Sequence, residues 1–384
     1  MTLVSSLSWT DKDLGLYLHI PFCRVRCAYC DFATDLEKTG ERQLFLKSLT
    51  EEIERLPKST QPLRSIYFGG GTPSLLTVAE ISQIFSVISK NYSLDKNTEI
   101  SLEANPEGLN EDKLAGYMQA GVNRISIGIQ SLNGPELKFL ARGHLLEENL
   151  RALEMLKDKG INYNLDLMIG IPKQDQNSFM RTLIQVLAYR PAHISSYLLS
   201  IEEDAPWFEQ VKSGKIKVAD DDLMATLYQQ MQFFLSDQGY KQYEISAFSL
   251  PGKECIHNLG YWKHQNWIGA GPSAASWLAP LRWQNPSGFK EWINCQKFPD
   301  KGPEYTTLSQ ADSVLEKIML QFRLLEGIPV QVYTNLHCIY PELELGSRMQ
   351  RLIQLELVEV TQTHYRIPAT AVLLSNRVFQ EYLS

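Results

Sequence analysis

Cys23, Cys27 and Cys30 share one short stretch of the chain, in the run Tyr17-Leu-His-Ile-Pro-Phe-Cys-Arg-Val-Arg-Cys-Ala-Tyr-Cys-Asp-Phe32. Thiolates are soft ligands, and three of them on one loop select an iron–sulfur cluster or zinc. A cubane cluster has four irons, so three cysteines leave one iron open to a ligand from outside the chain. Zinc is the competing occupant. His19 could complete a tetrahedral set, although the alternation of its apolar, strand-like run turns it away from the loop. A disulfide framework would call for an even set in a small secreted chain. Cys255, Cys295 and Cys338 are scattered and are expected to be free thiols.

Further along, Gly69-Gly-Gly-Thr-Pro-Ser74 lets the backbone approach a ligand closely, because no Cβ intervenes. The plainer reading is a tight strand-to-helix turn capped by Thr72 or Ser74. It is not a phosphate loop, since the lysine of that motif is missing. Glu103 and Asp166 are either ligand contacts or capping and ion-paired carboxylates. Gln130 can bond ribose hydroxyls or a carboxylate through its amide, and the Arg142 fork suits a carboxylate.

These residues need a scaffold that gathers them, and the pattern supplies one. Candidate strands at Gly15 to Ile20, Ser65 to Phe68, Glu99 to Glu103, Arg124 to Gln130, Asn164 to Ile169 and His193 to Leu199 alternate with amphipathic helices. Ile81, Ile84, Phe85 and Ile88 recur at helical spacing, as do Leu114, Tyr117 and Met118 ahead of Gly121. Such alternation argues an α/β fold with a parallel sheet. The cysteine loop, the glycine run, Glu103-Ala-Asn-Pro106, Gly128-Ile-Gln-Ser131 and the Asp166 segment all fall at or near the C-terminal ends of predicted strands. That is the edge where parallel barrels keep their sites.

A long helix pattern from Asp221 to about Gln238 stops at Gly239. The segment Tyr240 to Trp292 then holds five of the seven tryptophans. From Asp312 another helix leads to Gly327, and Leu357 to Val360 with His364 to Ile367 form a hairpin pattern. The expected division is a core over 1–238, an aromatic-rich extension over 239–310 and a small winged-helix-like domain over 311–384. With 384 residues, 44% of them hydrophobic, and a net charge of −7, the chain is globular and has no basic footprint for nucleic acid. No signal region or membrane span is evident, so the expected location is cytoplasmic.

The cysteine spacing, with Tyr29 just before the last cysteine, resembles the signature of the radical SAM superfamily. That resemblance implies a partial (β/α)6 barrel, a 4Fe–4S cluster on Cys23, Cys27 and Cys30, and S-adenosylmethionine (SAM) chelating the open iron. From about Leu16 to its end the chain is similar to the group around oxygen-independent coproporphyrinogen III oxidase. The resemblance is carried by the runs already quoted, by Asp166-Leu-Met-Ile-Gly-Ile-Pro172 and by Tyr243-Glu-Ile-Ser-Ala-Phe248. It implies SAM contacts at Tyr17, Tyr29, Gly70, Gly71, Thr72, Glu103, Gln130, Arg142 and Asp166.

Two departures separate the chain from the oxidase pattern. Phe32 stands where the oxidase has a fourth cysteine, and Met1 to Leu14 is a short lead-in from which no comparable lid is expected. In addition, His257-Asn-Leu-Gly-Tyr-Trp262 matches the HNxxYW motif of HemW-type haem chaperones. This resemblance implies haem binding with His257 as an axial ligand, delivery of haem to apo-haemoproteins such as membrane-associated respiratory proteins, and a cluster-dependent homodimer. Oxidative decarboxylation of coproporphyrinogen III remains the alternative activity. A histidine in an aromatic segment is otherwise a bonded core residue.

Overall fold

Leu16, Leu18 and Ile20 alternate with Tyr17 and His19 along β1 (Gly15–Ile20), and this period of two sorts every core strand into an apolar and a polar face. The computed structural model describes residues 13–143, 145–298 and 302–383. After β1 come a short parallel pair, β2 (Phe22–Cys23) and β3 (Asp35–Leu36), which starts and closes the cysteine loop. The core continues with β4 (Ser65–Gly70), β5 (Glu99–Ala104), β6 (Arg124–Gln130), β7 (Asn162–Ile169) and β8 (His193–Leu198). Strands β1, β4, β5, β6, β7 and β8 are adjacent in that order and parallel throughout. They form the expected partial barrel.

Ile66, Phe68, Leu102, Ile125, Ile127, Leu165, Leu167 and Ile194 belong to the main hydrophobic core, which includes the helices Glu41–Arg55, Val78–Asn91, Glu111–Gln119, Leu146–Lys159 and Gln176–Leu187. The opposite set, including Tyr17, Tyr67, Glu103, Arg124, Ser126, Asn164, Asp166, His193 and Ser195, forms a cross-strand network of hydrogen bonds and charges. Ordinary parallel strands buried on both faces are hydrophobic throughout. The polar face marks an interior built to hold something other than packed side chains.

The segment after residue 238 is welded into this sheet rather than appended to it. Strands β9 (Lys241–Glu244) and β10 (Ala247–Ser249) extend the sheet antiparallel beyond β8. At the other edge β11 (Trp267–Ala270) pairs parallel with β1, a seventh parallel strand that the sequence pattern did not mark. Beyond it β12 (Ala275–Leu278), β13 (Leu281–Gln284) and β14 (Tyr305–Thr307) complete a 12-stranded sheet. The C-terminal region runs from the helix Gln310–Gln321 through β15 (Ile328–Pro329), the helices Val330–Ile339 and Leu345–Gln354, and the hairpin of β16 (Glu359–Val360) and β17 (His364–Arg366). Its sheet order is β15-β17-β16. The helix, helix and hairpin order read from the sequence is present.

Candidate functional site

The cysteine loop leaves the C-terminal end of β1 and is fastened at several points. Asp35 N donates to Pro21 O at 2.8 Å, Cys30 N to Cys27 O at 3.2 Å, and the Thr72 hydroxyl to Cys23 Sγ at 3.6 Å. All three thiols are partly exposed. Burial pushes the Cys30 thiol up, and the charges of Cys27 and Cys23 add to that shift. Cys23 is also raised, again chiefly by burial, with Cys27 contributing. Sulfurs that repel one another as thiolates suit a positively charged metal core, which would relieve the repulsion. Among the described residues no three His, Cys, Asp or Glu side chains are grouped tightly enough for a single metal ion. Three thiolates on one loop can give one ligand to each of three irons of a cubane.

His19 is not a spare ligand, and here the sequence expectation is corrected. Its ring reaches the loop instead of turning away: Nε2 bonds Ala33 O at 2.9 Å, while Nδ1 meets the Tyr17 hydroxyl at 3.1 Å. Both nitrogens are therefore engaged. Phe32, at the place of the oxidase's fourth cysteine, is 63% exposed.

Behind the loop, Gly71 N donates to Ile20 O at 2.7 Å and Thr72 N to Phe22 O at 2.8 Å. A Cβ on Gly71 would lie 2.7 Å from Phe22 O, and one on Gly70, where φ is +107°, would lie 2.8 Å from the His19 ring. The glycines thus allow the glycine run to lie against the end of β1 and the start of the cysteine loop. Thr72 and Ser74 do not cap the short 3-10 turn Pro73–Leu75, as the plainer sequence reading required. Both serve Asn105, whose Nδ2 donates to Thr72 Oγ1 at 3.2 Å and whose backbone N donates to Ser74 Oγ at 3.2 Å.

Asn105 also accepts a bond from Arg142 Nη2 at 2.6 Å, and Arg142 Nη1 donates to the Tyr29 hydroxyl at 2.8 Å. Gln130 stands beside this group because β6 shifts register between Gly128 and Gln130, which places Gln130 at φ +64°. Such a backbone is strained for a residue with a side chain. Gln130 Oε1 and Arg142 Nε are buried without a hydrogen-bond partner. Orphaned polar atoms of this kind call for a ligand. An acceptor and a donor beside the thiols can hold hydroxyls and a carboxylate, which is what SAM presents. The sequence pointed to Gln130 and Arg142 but missed Asn105; the strand-end run Glu103-Ala-Asn-Pro106 was the available signal.

Deeper in the barrel, Glu103 accepts from the Tyr67 hydroxyl at 2.8 Å, and burial pushes it up to about 7, with nearby Asp166 adding to the shift. Asp166 accepts from Asn164 Nδ2 at 2.7 Å and the Ser126 hydroxyl at 3.2 Å. It too is raised by burial. Both residues are half-buried.

His257 lies elsewhere. The HNxxYW residues form the helix Ile256–Trp262, held by Glu99 at the N-terminal end of β5, on the side of the barrel away from the cysteines. His257 is 1% exposed, with Nδ1 bonded to Ser65 Oγ at 2.8 Å and Nε2 to the Tyr261 hydroxyl at 2.8 Å. Burial, together with Arg64 and Arg124, holds its pKa well below the usual histidine range. Both ring nitrogens are engaged in these two bonds.

The Radical SAM superfamily profile matches residues 17–185. A heme chaperone HemW from Lactococcus lactis is 29% identical over 97% of this chain and 98% of its own. Its counterpart in Haemophilus influenzae is 35% identical over 84% and 85%, and that in Escherichia coli 34% over 82% and 84%. Among solved structures, coproporphyrinogen III oxidase (HemN) from Escherichia coli superposes with a TM-score of 0.82, covering 97% of this chain and 91% of its own at 21% identity. That likeness establishes the fold. A 4Fe–4S cluster and SAM are the cofactors of the superfamily, and the thiols and orphaned polar atoms described above fit them. The chain belongs to the HemW family of radical SAM proteins.

Proposed function

We propose that this protein is a haem chaperone, holding a 4Fe–4S cluster on Cys23, Cys27 and Cys30, SAM beside it, and haem that it passes to apo-haemoproteins. The observation that carries the reading is likeness over nearly the whole chain to proteins named heme chaperones. Phe32 in place of a fourth cysteine agrees with it. In this reading Arg142 and Gln130 bind carboxylate and hydroxyl groups of SAM. Glu103 and Asp166 face its positive charge, and Tyr17, Tyr29, Gly70, Gly71 and Thr72 complete the wall. When bound, a reduced cluster can deliver an electron to the SAM sulfonium.

The same reading places the protein in the cytoplasm, with membrane-associated respiratory proteins as recipients and a homodimer that forms only when the cluster is loaded. No helix among the described residues is long and apolar enough to cross a membrane. Haem binding rests on the likeness of the whole chain, with His257 of the HNxxYW motif as the proposed iron ligand, which would exchange its bond to Ser65 or Tyr261 for the metal.

The test is anaerobic reconstitution, haem loading, and mixing with an apo-haemoprotein while the Soret band is followed, with and without SAM. Stoichiometric haem uptake and transfer are expected. Failure to take up haem, together with catalytic conversion of coproporphyrinogen III to protoporphyrinogen IX, would replace the chaperone by the oxidase.

A further inference from the structure

Past the end of β8 the chain turns onto the cysteine loop, at the upper mouth of the barrel and opposite the HNxxYW helix that covers the lower one. Leu199 N donates to Ile169 O at 2.8 Å, so the segment starts alongside β7. It then grips the loop on both sides of Cys27: Arg26 Nη2 donates to Asp204 O at 3.1 Å, and Trp207 N to Ala28 O at 2.9 Å. The short helix Phe208–Lys212 and a bond from Ile216 N to Gln210 O at 3.1 Å complete it. Trp207 is 6% exposed although it lies outside the main core. With Leu140, Met168, Ile171 and Leu199 it forms a separate apolar pad, against which Ala28, Tyr29 and Phe139 pack. Its indole meets the Phe139 ring edge-on, with centroids 4.9 Å apart and planes at 61°.

The pad underlies both ends of one hydrogen bond. Tyr29 rests on it from the cysteine loop, and Leu140, fully buried in it, lies just before Arg142, whose Nη1 donates to the Tyr29 hydroxyl at 2.8 Å. We propose that residues 199–216 act as a strap on the cysteine loop, and that Trp207 is a positioning residue for SAM, acting through Tyr29 and Arg142. Between β2 and β3 the loop has no helix or strand of its own, so contacts from elsewhere must hold it against its conformational entropy. An indole fills much space with few rotatable bonds, which suits that task. Removing it leaves a cavity that packed neighbours fill only by moving, and Tyr29 and Leu140 are among the residues gathered on the pad. Displacing either misaims the Arg142 guanidinium, whose Nε is one of the orphaned atoms beside the thiols. This inference rests on the cluster and SAM reading of the upper mouth, and not on haem delivery.

The test uses the full-length chain as wild type, Trp207→Phe, Trp207→Leu and Trp207→Ala, a series that steps down the size of one side chain. Hydrogen–deuterium exchange of the cysteine loop is read before reconstitution. After anaerobic reconstitution three quantities are read: the SAM dissociation constant, the change in the reduced cluster's EPR spectrum on adding SAM, and haem stoichiometry from the Soret band. Trp207→Ala is expected to weaken SAM binding about 10-fold or more, to alter the SAM-induced EPR change and to raise exchange in the loop, with haem stoichiometry unchanged because His257 lies at the other mouth. Trp207→Phe retains an aromatic edge against Phe139 and is expected to restore most of the affinity, with Trp207→Leu in between. The phenylalanine and leucine variants keep the pad apolar and largely filled, and they carry the test should the alanine variant fail to fold.

Wild-type SAM affinity and wild-type loop exchange in Trp207→Leu and in folded Trp207→Ala would overturn the inference. So would haem uptake that falls in step with SAM affinity along the series, because that pattern marks a global loss of structure and not a local one. A wild-type protein that holds a cluster but binds no SAM would instead overturn the reading of the upper mouth, and exchange in the unloaded chain would still decide whether Trp207 sets the loop.

Discussion

Glu103 stands where burial and a charge of its own sign act together, and its pKa near 7 follows from both. A carboxyl in that range is partly protonated at neutral pH, whereas holding the positive charge of SAM requires the carboxylate. Binding therefore releases a proton from the protonated fraction, and affinity is linked to pH. Below about 7 each falling pH unit takes away up to about 10-fold in affinity, and above it the dependence flattens. Titration calorimetry with SAM between pH 5.5 and 7.5 measures the slope. A Glu103→Gln variant is expected to bind weakly at all of these pH values and to lose the slope. An unchanged slope in that variant would assign the titration to another group. The cysteine loop was the most legible part of this site, because spacing within eight residues survives without any knowledge of the fold. Asn105 and the His19 clamp were not legible. Their roles depend on Arg142 and Ala33, which come near only when strand ends converge.

Glu52 shows what holds the elements together around that site. It lies on the helix Glu41–Arg55 and accepts from Gly271 N at 2.8 Å, Asn285 Nδ2 at 2.7 Å and Trp292 Nε1 at 3.1 Å. One carboxylate thus ties the first helix to the turn after β11, to the residue after β13 and to the helix Phe289–Lys297. Glu52→Gln directs an amide N–H at donors that need an acceptor, and about 1–3 kcal/mol of stability should be lost. Urea denaturation measures it; an unchanged midpoint would mean that the clasp contributes nothing. Burial raises Glu52 to about 7, so the folded state retains a proton that the unfolded chain releases. Its contribution to stability consequently falls as pH rises from about 4.5 through 7. The six core strands could be read from sequence because each precedes an amphipathic helix. Strand β11 could not. Four residues, Trp267–Ala270, carry too little local pattern, and what makes them a strand is the vacant edge of β1 more than 240 residues earlier.

At the scale of the molecule, the boundary expected near residue 238 divides a single sheet and a single polar interior. Residues after it supply β10 against β8, β11 against β1, and the helix that covers the lower mouth. They also supply partners for charges that cannot be left bare. Arg124 is 2% exposed beside Glu99, and Glu99 in turn accepts the backbone N–H groups of Ile256 and His257. His193 bonds Tyr243 at 2.8 Å, and Leu325 N bonds Tyr243 O at 3.0 Å, so the C-terminal region is tied to the same interior through β9. Without residues 239–384 the β1 edge would carry unpaired backbone groups, and the lower mouth would open onto a buried arginine. Unpaired edges and bare buried charges are both strongly destabilising. Residues 1–238 expressed alone should therefore fail to form a native core, appearing as aggregate or as a species that keeps far-UV but loses near-UV circular dichroism. The full chain should unfold with coincident far-UV and near-UV transitions. A soluble 1–238 fragment with native near-UV signal would show that the extension decorates a finished barrel instead of completing it.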